Sequence, residues 1–250
     1  MDRHCSFARF FAALLIAAFA LAPLTTPLPA HADSGARQCA ISPETLQRLD
    51  RVAGDDALMK RTILNVLDEA CEASLPMRHF DGKLAEGLAK RVPLDVLAEA
   101  LRQRLANYRT AADLLRKGTG SVDSECLEIM GEGVSSGVPS QDFQTYAATF
   151  GGNPVEPFRT GAEMVALLGQ ANFDFGLTLS MLRAGFKADA LSPDWRFFVR
   201  VVLAARARGI SDPEIAEAAT AALANREPVR EAMARLGFTD RSLSGREDSH

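Results

Sequence analysis

The sequence predicts an all-α protein: an irregular helical-hairpin array, or a bundle of about eight to nine helices, with no sheet. Three observations predict it. Apolar residues recur at helical spacing along most of the chain, which is rich in Ala and Leu. Alternating β-branched runs and Asn-Gly hairpin signals are missing. The same helix-to-helix corner recurs several times, seen most clearly at Gly209-Ile210-Ser211-Asp212-Pro213-Glu214-Ile215. There Gly209 suits the left-handed residue that ends a helix, Ser211 and Glu214 have the spacing of a capping box, and Pro213 falls in the first turn, where a missing N–H costs little. Ile210 and Ile215 flank the cap and can pack across the corner.

Stated as a stop residue, an apolar residue next and another apolar residue six after the stop, the corner also fits Ser74-Leu75…Phe80, Arg91-Val92…Leu97, Gly137-Val138…Phe143, Gly185-Phe186…Leu191 and Gly237-Phe238…Leu243. Two copies share more, since Glu86-Gly87-Leu88 leads into Val92-Pro93 as Glu132-Gly133-Val134 leads into Val138-Pro139. Successive stops lie 17, 46, 48, 24 and 28 residues apart, so no single solenoid period applies. Degenerate duplication and convergence on tight-turn chemistry both fit.

The first element is a leader. Arg3 and Arg9 precede or open an apolar run from Phe10 to Ala22, prolines from Pro23 to Pro29 break it, and Ala30-His31-Ala32 supplies an A-x-A cleavage site. This is the pattern of a secretory signal peptide over residues 1–32, too short and wrongly flanked for a transmembrane anchor. It predicts a periplasmic or secreted protein that starts at Asp33. Loss of Arg3, Arg9 and Asp2 takes the chain's 28 basic and 32 acidic residues to 26 and 31, a net charge of −5.

Helices are expected over residues 55–73, 77–90, 94–116, 121–135, 139–150, 158–184, 193–208, 212–225 and 228–236. In the first, Met59, Ile63, Val66, Leu67 and Ala70 share a face; in the third, Leu97, Leu101, Leu105, Tyr108, Ala112 and Leu115 do. Gly151-Gly152-Asn153-Pro154-Val155-Glu156-Pro157 is the clearest loop and the best internal boundary. It separates a helical region over residues 33–150 from an aromatic-rich one over 151–238 that packs on it. Residues 239–250 read as a disordered polar tail.

Of thirteen aromatic residues beyond the leader, ten fall between Phe143 and Phe198. A large core explains them best, because aromatic side chains dominate burial. A lined apolar pocket built from Phe173, Phe175, Phe186, Trp195 and Phe198 is the functional alternative. Of the cysteines beyond the leader, Cys39, Cys71 and Cys126, an odd count leaves one unpaired after export. Cys126 shares a helical face with Met130 and Gly133, which suits a buried thiol, while Cys39 lies in a weakly patterned segment that a tether would help. The expected bond is Cys39–Cys71.

No catalytic or metal signature stands in its required context. The chain has no C-x-x-C or H-E-x-x-H; Gly133-Val134-Ser135-Ser136-Gly137 spells G-x-S-x-G, but nothing before it reads as the strand such a serine needs, and the glycine cluster Gly131 to Gly137 also lacks the lysine of a phosphate loop. His79 and His250 are the histidines beyond the leader. The spacing of His79 and Asp81 does not bring them onto one helix face, so His79 reads as a partly exposed helix-start residue. Glu69 with Glu72, and Glu214 with Glu217, have a spacing ordinary on exposed helices. No catalytic residue, metal ligand or cofactor is assigned.

The Gly209 corner also has the chemistry of a helix-turn-helix, but an acidic exported chain argues against nucleic acid. A basic contact face remains in Arg183, Lys187, Arg196 and Arg200, with Arg206 and Arg208 near it; it suits anionic lipid or an envelope polymer if it is more than a solvated surface. The sequence therefore favours a non-catalytic binding or scaffold module of the bacterial envelope for a protein or peptide partner. The second reading is a periplasmic apolar-ligand or lipid binder using the aromatic-rich half, and the third is an enzyme.

Overall fold

A left-handed backbone turn ends most of the helices, and the architecture follows from those turns. The computed structural model describes Cys39 and residues 41–238; the expected leader and the polar tail lie outside them. The described residues are all-α, with eleven α-helices rather than eight to nine: α1 (Pro43–Ala53), α2 (Ala57–Glu72), α3 (Met77–Ala89), α4 (Leu94–Thr119), α5 (Ser124–Ser135), α6 (Ser140–Phe150), α7 (Val155–Gln170), α8 (Phe175–Ala188), α9 (Phe198–Ala207), α10 (Asp212–Ala224) and α11 (Val229–Arg235). A 3-10 turn, Pro193–Phe197, precedes α9. No described helix is long and apolar enough to cross a membrane.

Residues 74, 91, 137, 172, 189, 209, 226 and 237 all have φ between 53° and 95°. Each donates its N–H to the carbonyl three residues back, and the next residue donates to the carbonyl five before it, as Ser74 to Cys71 and Leu75 to Ala70. This is the Schellman closure, which satisfies carbonyls that a helix end leaves orphaned. The residue four before each turn is buried, from Ala70 to Met233. The residue six after it is buried wherever it is described: Phe80, Leu97, Phe143, Thr178, Trp195, Ile215 and Ala232. At two of the corners the pair is seen to meet, Gly87 against Leu97 and Gly133 against Phe143.

With Gly120, also left-handed at φ 75°, all but the last of these turns, Gly237, fall into pairs 17 residues apart: 74 and 91, 120 and 137, 172 and 189, 209 and 226. Each pair brackets one helix, namely α3, α5, α8 and α10. Aligned on the first turn, the four helices bury Phe80, Cys126, Thr178 and Ile215 at one position and Leu84, Met130, Leu182 and Ala219 at another. Gly87, Gly133, Gly185 and Ala222 occupy a third.

This register corrects three sequence expectations. Gly185, taken as a stop, lies inside α8, and the turn comes four residues later at Asp189. The single helix expected over residues 158–184 is two, because Asn172 goes left-handed between α7 and α8 with neither Gly nor Pro to announce it. The segment before residue 55 is helical too: Ser42 accepts from the Thr45 N–H, Pro43 opens the helix, and Leu49 is fully buried. Its apolar stripe is narrow, so periodicity alone does not reveal it.

Local chemistry accounts for the other helix starts. Asp56, Asp123 and Asp174 cap α2, α5 and α8 with side-chain oxygens 2.9–3.0 Å from backbone N–H groups. At α10 the Glu214 carboxylate reaches back to accept from the N–H and hydroxyl of Ser211. Pro76, Pro93, Pro139, Pro154 and Pro228 stand at the N-caps of α3, α4, α6, α7 and α11, where proline's fixed φ ends the preceding turn.

Helix α4 is the central strut, packing on α2, α3, α5 and α6; α7 continues the assembly by packing on α5, α6 and α8, and α10 packs on α8 and α11. One apolar core runs from Leu49 to Phe238. A disulfide joins Cys39 to Cys71 in α2, with Cα atoms 5.2 Å apart. Closing a chain separation of 32 residues removes unfolded-state entropy worth about 3–4 kcal/mol on loop-closure grounds. Cys126 is free and buried, and burial with Asp123 beside it pushes its thiol up to about 12, so it stays protonated.

Candidate functional site

Where α3, α4 and α5 meet, a set of polar side chains closes around Glu132. Tyr108 on α4 donates its hydroxyl to Glu132 Oε1 at 2.6 Å, and Arg104, one turn earlier, donates to the same carboxylate. His79 on α3 brings Nδ1 to 3.3 Å from Oε1, while its Nε2 accepts from Arg78 Nε at 3.2 Å. Arg78 also pairs with Glu128, one turn before Glu132 on α5. Burial alone would raise the Glu132 carboxyl, but the Tyr108 hydrogen bond and the Arg104 charge outweigh it and hold it below the ordinary range. Burial depresses His79 against the opposing pull of Glu132, with Arg78 and Arg104 adding to the depression. Tyr108 is driven upward, first by burial and then by Glu132, and remains a donor. Every acceptor here has a donor and the imidazole is held on both edges. The network clamps three helices together and leaves no free base beside a nucleophile.

Arg78 and Glu128 are also one wall of an open groove of about 500 Å³. Its floor is α5, through Ser124, Glu125 and Ile129; its far side is α7 and the 3-10 turn, through Glu156, Arg159, Glu163 and Arg196. Most charges in it are matched: Arg159 lies 2.9 Å from Glu125 and 2.8 Å from Glu156. Others are not. The Arg159 Nε–H is buried without an acceptor. Glu163 and Arg196 make no hydrogen bond or ion pair with any described residue, and burial, against the pull of Arg196 and Arg159, holds the Glu163 carboxyl above its ordinary range. No group of three or more His, Cys, Asp or Glu among the described residues could hold a metal ion.

No family model, curated protein or solved structure matches this chain.

The residues singled out in the sequence scatter. Trp195 and Phe198 are fully buried and pack on each other, with ring centroids 5.7 Å apart. Phe186 stacks on Phe150 at 4.4 Å, and Phe173 lies buried beneath Arg206 at 5.6 Å; Phe175 is half-buried against the same core. Of the basic residues, Arg183 and Lys187 are exposed on α8, while Arg196 and Arg200 flank the exposed ring of Phe197 at 4.8 and 5.1 Å. Arg206 and Arg208 do local work. The first pairs with Asp212 and donates to the carbonyls of Ala171 and Asn172; the second covers Phe238 at 4.1 Å. Asp81, the neighbour of His79, turns away to accept from Ser42.

Sequence reasoning misses Glu132, Arg159 and Glu163. Glu132 does stand in the repeated Glu-Gly-apolar segment, but that pattern says nothing of Tyr108 and Arg104, which reach it from another helix. Arg159 and Glu163, four residues apart on α7, look like an ordinary exposed helical pair.

Proposed function

We propose that this chain is an exported envelope protein that works as a non-catalytic helical scaffold, an array of helical hairpins whose charged groove receives a protein or peptide partner. The observation that carries this reading is the groove itself, built from four separate pieces of chain, α3, α5, α7 and the 3-10 turn, and lined by both arginines and glutamates. Such mixed charge favours a polar partner in a fixed orientation over a greasy small molecule. The satisfied network around Glu132 supports a non-catalytic role, because it stiffens the groove wall while offering no activated group. Export rests on the leader pattern of residues 1–32.

A photo-reactive amino acid in place of Glu128, activated in intact envelopes, tests the reading. A discrete cross-linked protein or peptide is expected from that position, and none from the same probe at exposed Lys187. Equal labelling from both positions would defeat the proposal.

The alternative, an apolar ligand held by the aromatic half, has less support. Trp195, Phe198 and Phe173 pack into the core. Lipid recovered by organic extraction of purified protein would favour it.

A further inference from the structure

We infer that the groove takes a ligand bearing both an ammonium and a carboxylate, a short peptide with free ends, with Glu163 receiving the ammonium and Arg196 together with the Arg159 Nε–H receiving the carboxylate. This rests on the scaffold reading and narrows it from a partner to a chemistry.

Every charged group in the groove has an ion-pair partner except at three points, although Arg159 serves two glutamates. Arg78 is matched by Glu128, and the Arg159 Nη groups by Glu125 and Glu156. What remains is one carboxylate, one guanidinium and one buried N–H. Glu163 and Arg196 are near enough that the arginine's charge pulls on the carboxyl, yet no nitrogen–oxygen distance between them falls within the 4.0 Å of an ion pair. The gap leaves half-buried Glu163 without a cation and exposed Arg196 with only the Phe197 ring, and a buried donor without an acceptor costs free energy that an incoming oxygen restores. An anion alone would leave Glu163 unmatched and meet Glu125, Glu128 and Glu156 as well. A cation alone would leave Arg196 and the Arg159 N–H unmatched. A ligand with both charges satisfies all three groups.

Size agrees. A space of about 500 Å³ lies within the range of small-ligand sites and has room for about two or three residues of peptide. Ile129 and Pro193 give it a small apolar lining suited to short side chains.

The test is an NMR titration of isotope-labelled exported protein with three probes: trialanine with free ends, its N-acetylated form and its C-amidated form. The free peptide should give saturable shifts at the amides of α7 and of Pro193–Phe197, and blocking either end should weaken binding about tenfold or more, the loss expected for one charge-assisted contact. Two variants make the assignment specific. Glu163→Gln should abolish the preference for a free amino end and keep that for a free carboxyl end; Arg196→Gln should do the reverse. A purely structural role for either side chain would weaken all three probes alike. Glu163 has no ion pair within the protein and Arg196 has only the exposed ring of Phe197, so both variants should melt close to the parent. The inference is overturned if no saturable shift appears at the groove, if the blocked peptides bind as well as the free one, or if both variants weaken all probes equally. A protein cross-linked through position 128 without any peptide response overturns it too, yet leaves the scaffold reading standing. A peptide response with no captured partner supports the inference and removes the envelope scaffold.

Discussion

Helices α3 and α5 are two versions of one sentence. Both lie between left-handed turns 17 residues apart, and both end in Glu-Gly-apolar followed by a turn and Val-Pro. The shared glycine receives the side chain six residues beyond the turn: a Cβ on Gly87 would meet Leu97 at 2.5 Å, and one on Gly133 would meet Phe143 at 2.5 Å. The glutamate before the glycine is where they part. Glu86 stands in solvent between Lys83 and Lys90, whereas Glu132 is drawn in by Tyr108, Arg104 and His79. The frame positions that repeat set backbone and core. Position-specific chemistry appears only where a neighbouring helix supplies partners, and α5 has α4 beside its glutamate.

Sharpest among the ways to break this comparison is the glycine. Both neighbours are buried, but Phe143 meets the added carbon with a rigid ring while Ala166 also crowds it, whereas Leu97 meets it with the methyl end of a flexible side chain. Gly133→Ala should therefore cost about 2 kcal/mol from overpacking. Gly87→Ala should come out near neutral, the strain being offset by about 1 kcal/mol of helix propensity. Urea denaturation of the pair decides it, and equal losses would mean that the two corners are equally rigid.

Next comes the glutamate. Glu132→Ala strands the Tyr108 hydroxyl and the Arg104 guanidinium and should cost about 1 kcal/mol once partial exposure is allowed for. Glu86→Ala should leave the denaturation curve where it is, because exposed lysine pairs contribute little. Comparable shifts would show that the Glu132 network is as weak as a surface pair.

The network also carries a pH signature that α3's own surface pairs do not match in range. His79 and Glu132 both sit below their ordinary values in the folded protein, so the unfolded chain binds more protons. Their contribution is whole above the ordinary histidine value of 6.5 and is lost as pH falls, first with His79 and then with Glu132 below 4.5. Urea midpoints should drop between pH 7.5 and about 5.5, and His79→Gln should flatten that limb. An unchanged slope in the variant would assign the effect elsewhere.

The legible and illegible parts of the chain divide along the same line. Ser74, Arg91, Gly137, Gly209 and Gly237 are found from sequence because an apolar residue follows each and another stands six on. Asn172 and Asp189 make the same turn without a glycine at the turn position itself, so α7 and α8 fuse and the nearby Gly185 takes a role it does not have. The Cys39–Cys71 bond could be guessed from export and an odd cysteine count. The groove could not, because Glu128, Arg159 and Arg196 come from three elements and only packing makes them neighbours.

The smallest effect tests the turn itself. At the end of α3 the left-handed residue is Arg91, φ 56°; at the end of α5 it is Gly137, φ 95°. A side chain in this conformation brings Cβ against the carbonyl and costs about 1 kcal/mol or somewhat more, a penalty glycine escapes. Nothing lies within 4 Å of a Cβ built on Gly137, so Gly137→Ala isolates the backbone term and should destabilise by about 1 kcal/mol. Arg91→Gly should move the other way, but by only about 0.5 kcal/mol, since glycine also gives the unfolded chain more freedom to lose. Opposite signs at equivalent positions would confirm that one turn conformation ends both helices. A loss of stability in Arg91→Gly would mean that the arginine side chain contributes more at that corner than relief of its backbone returns, and the two helix ends would no longer be equivalent.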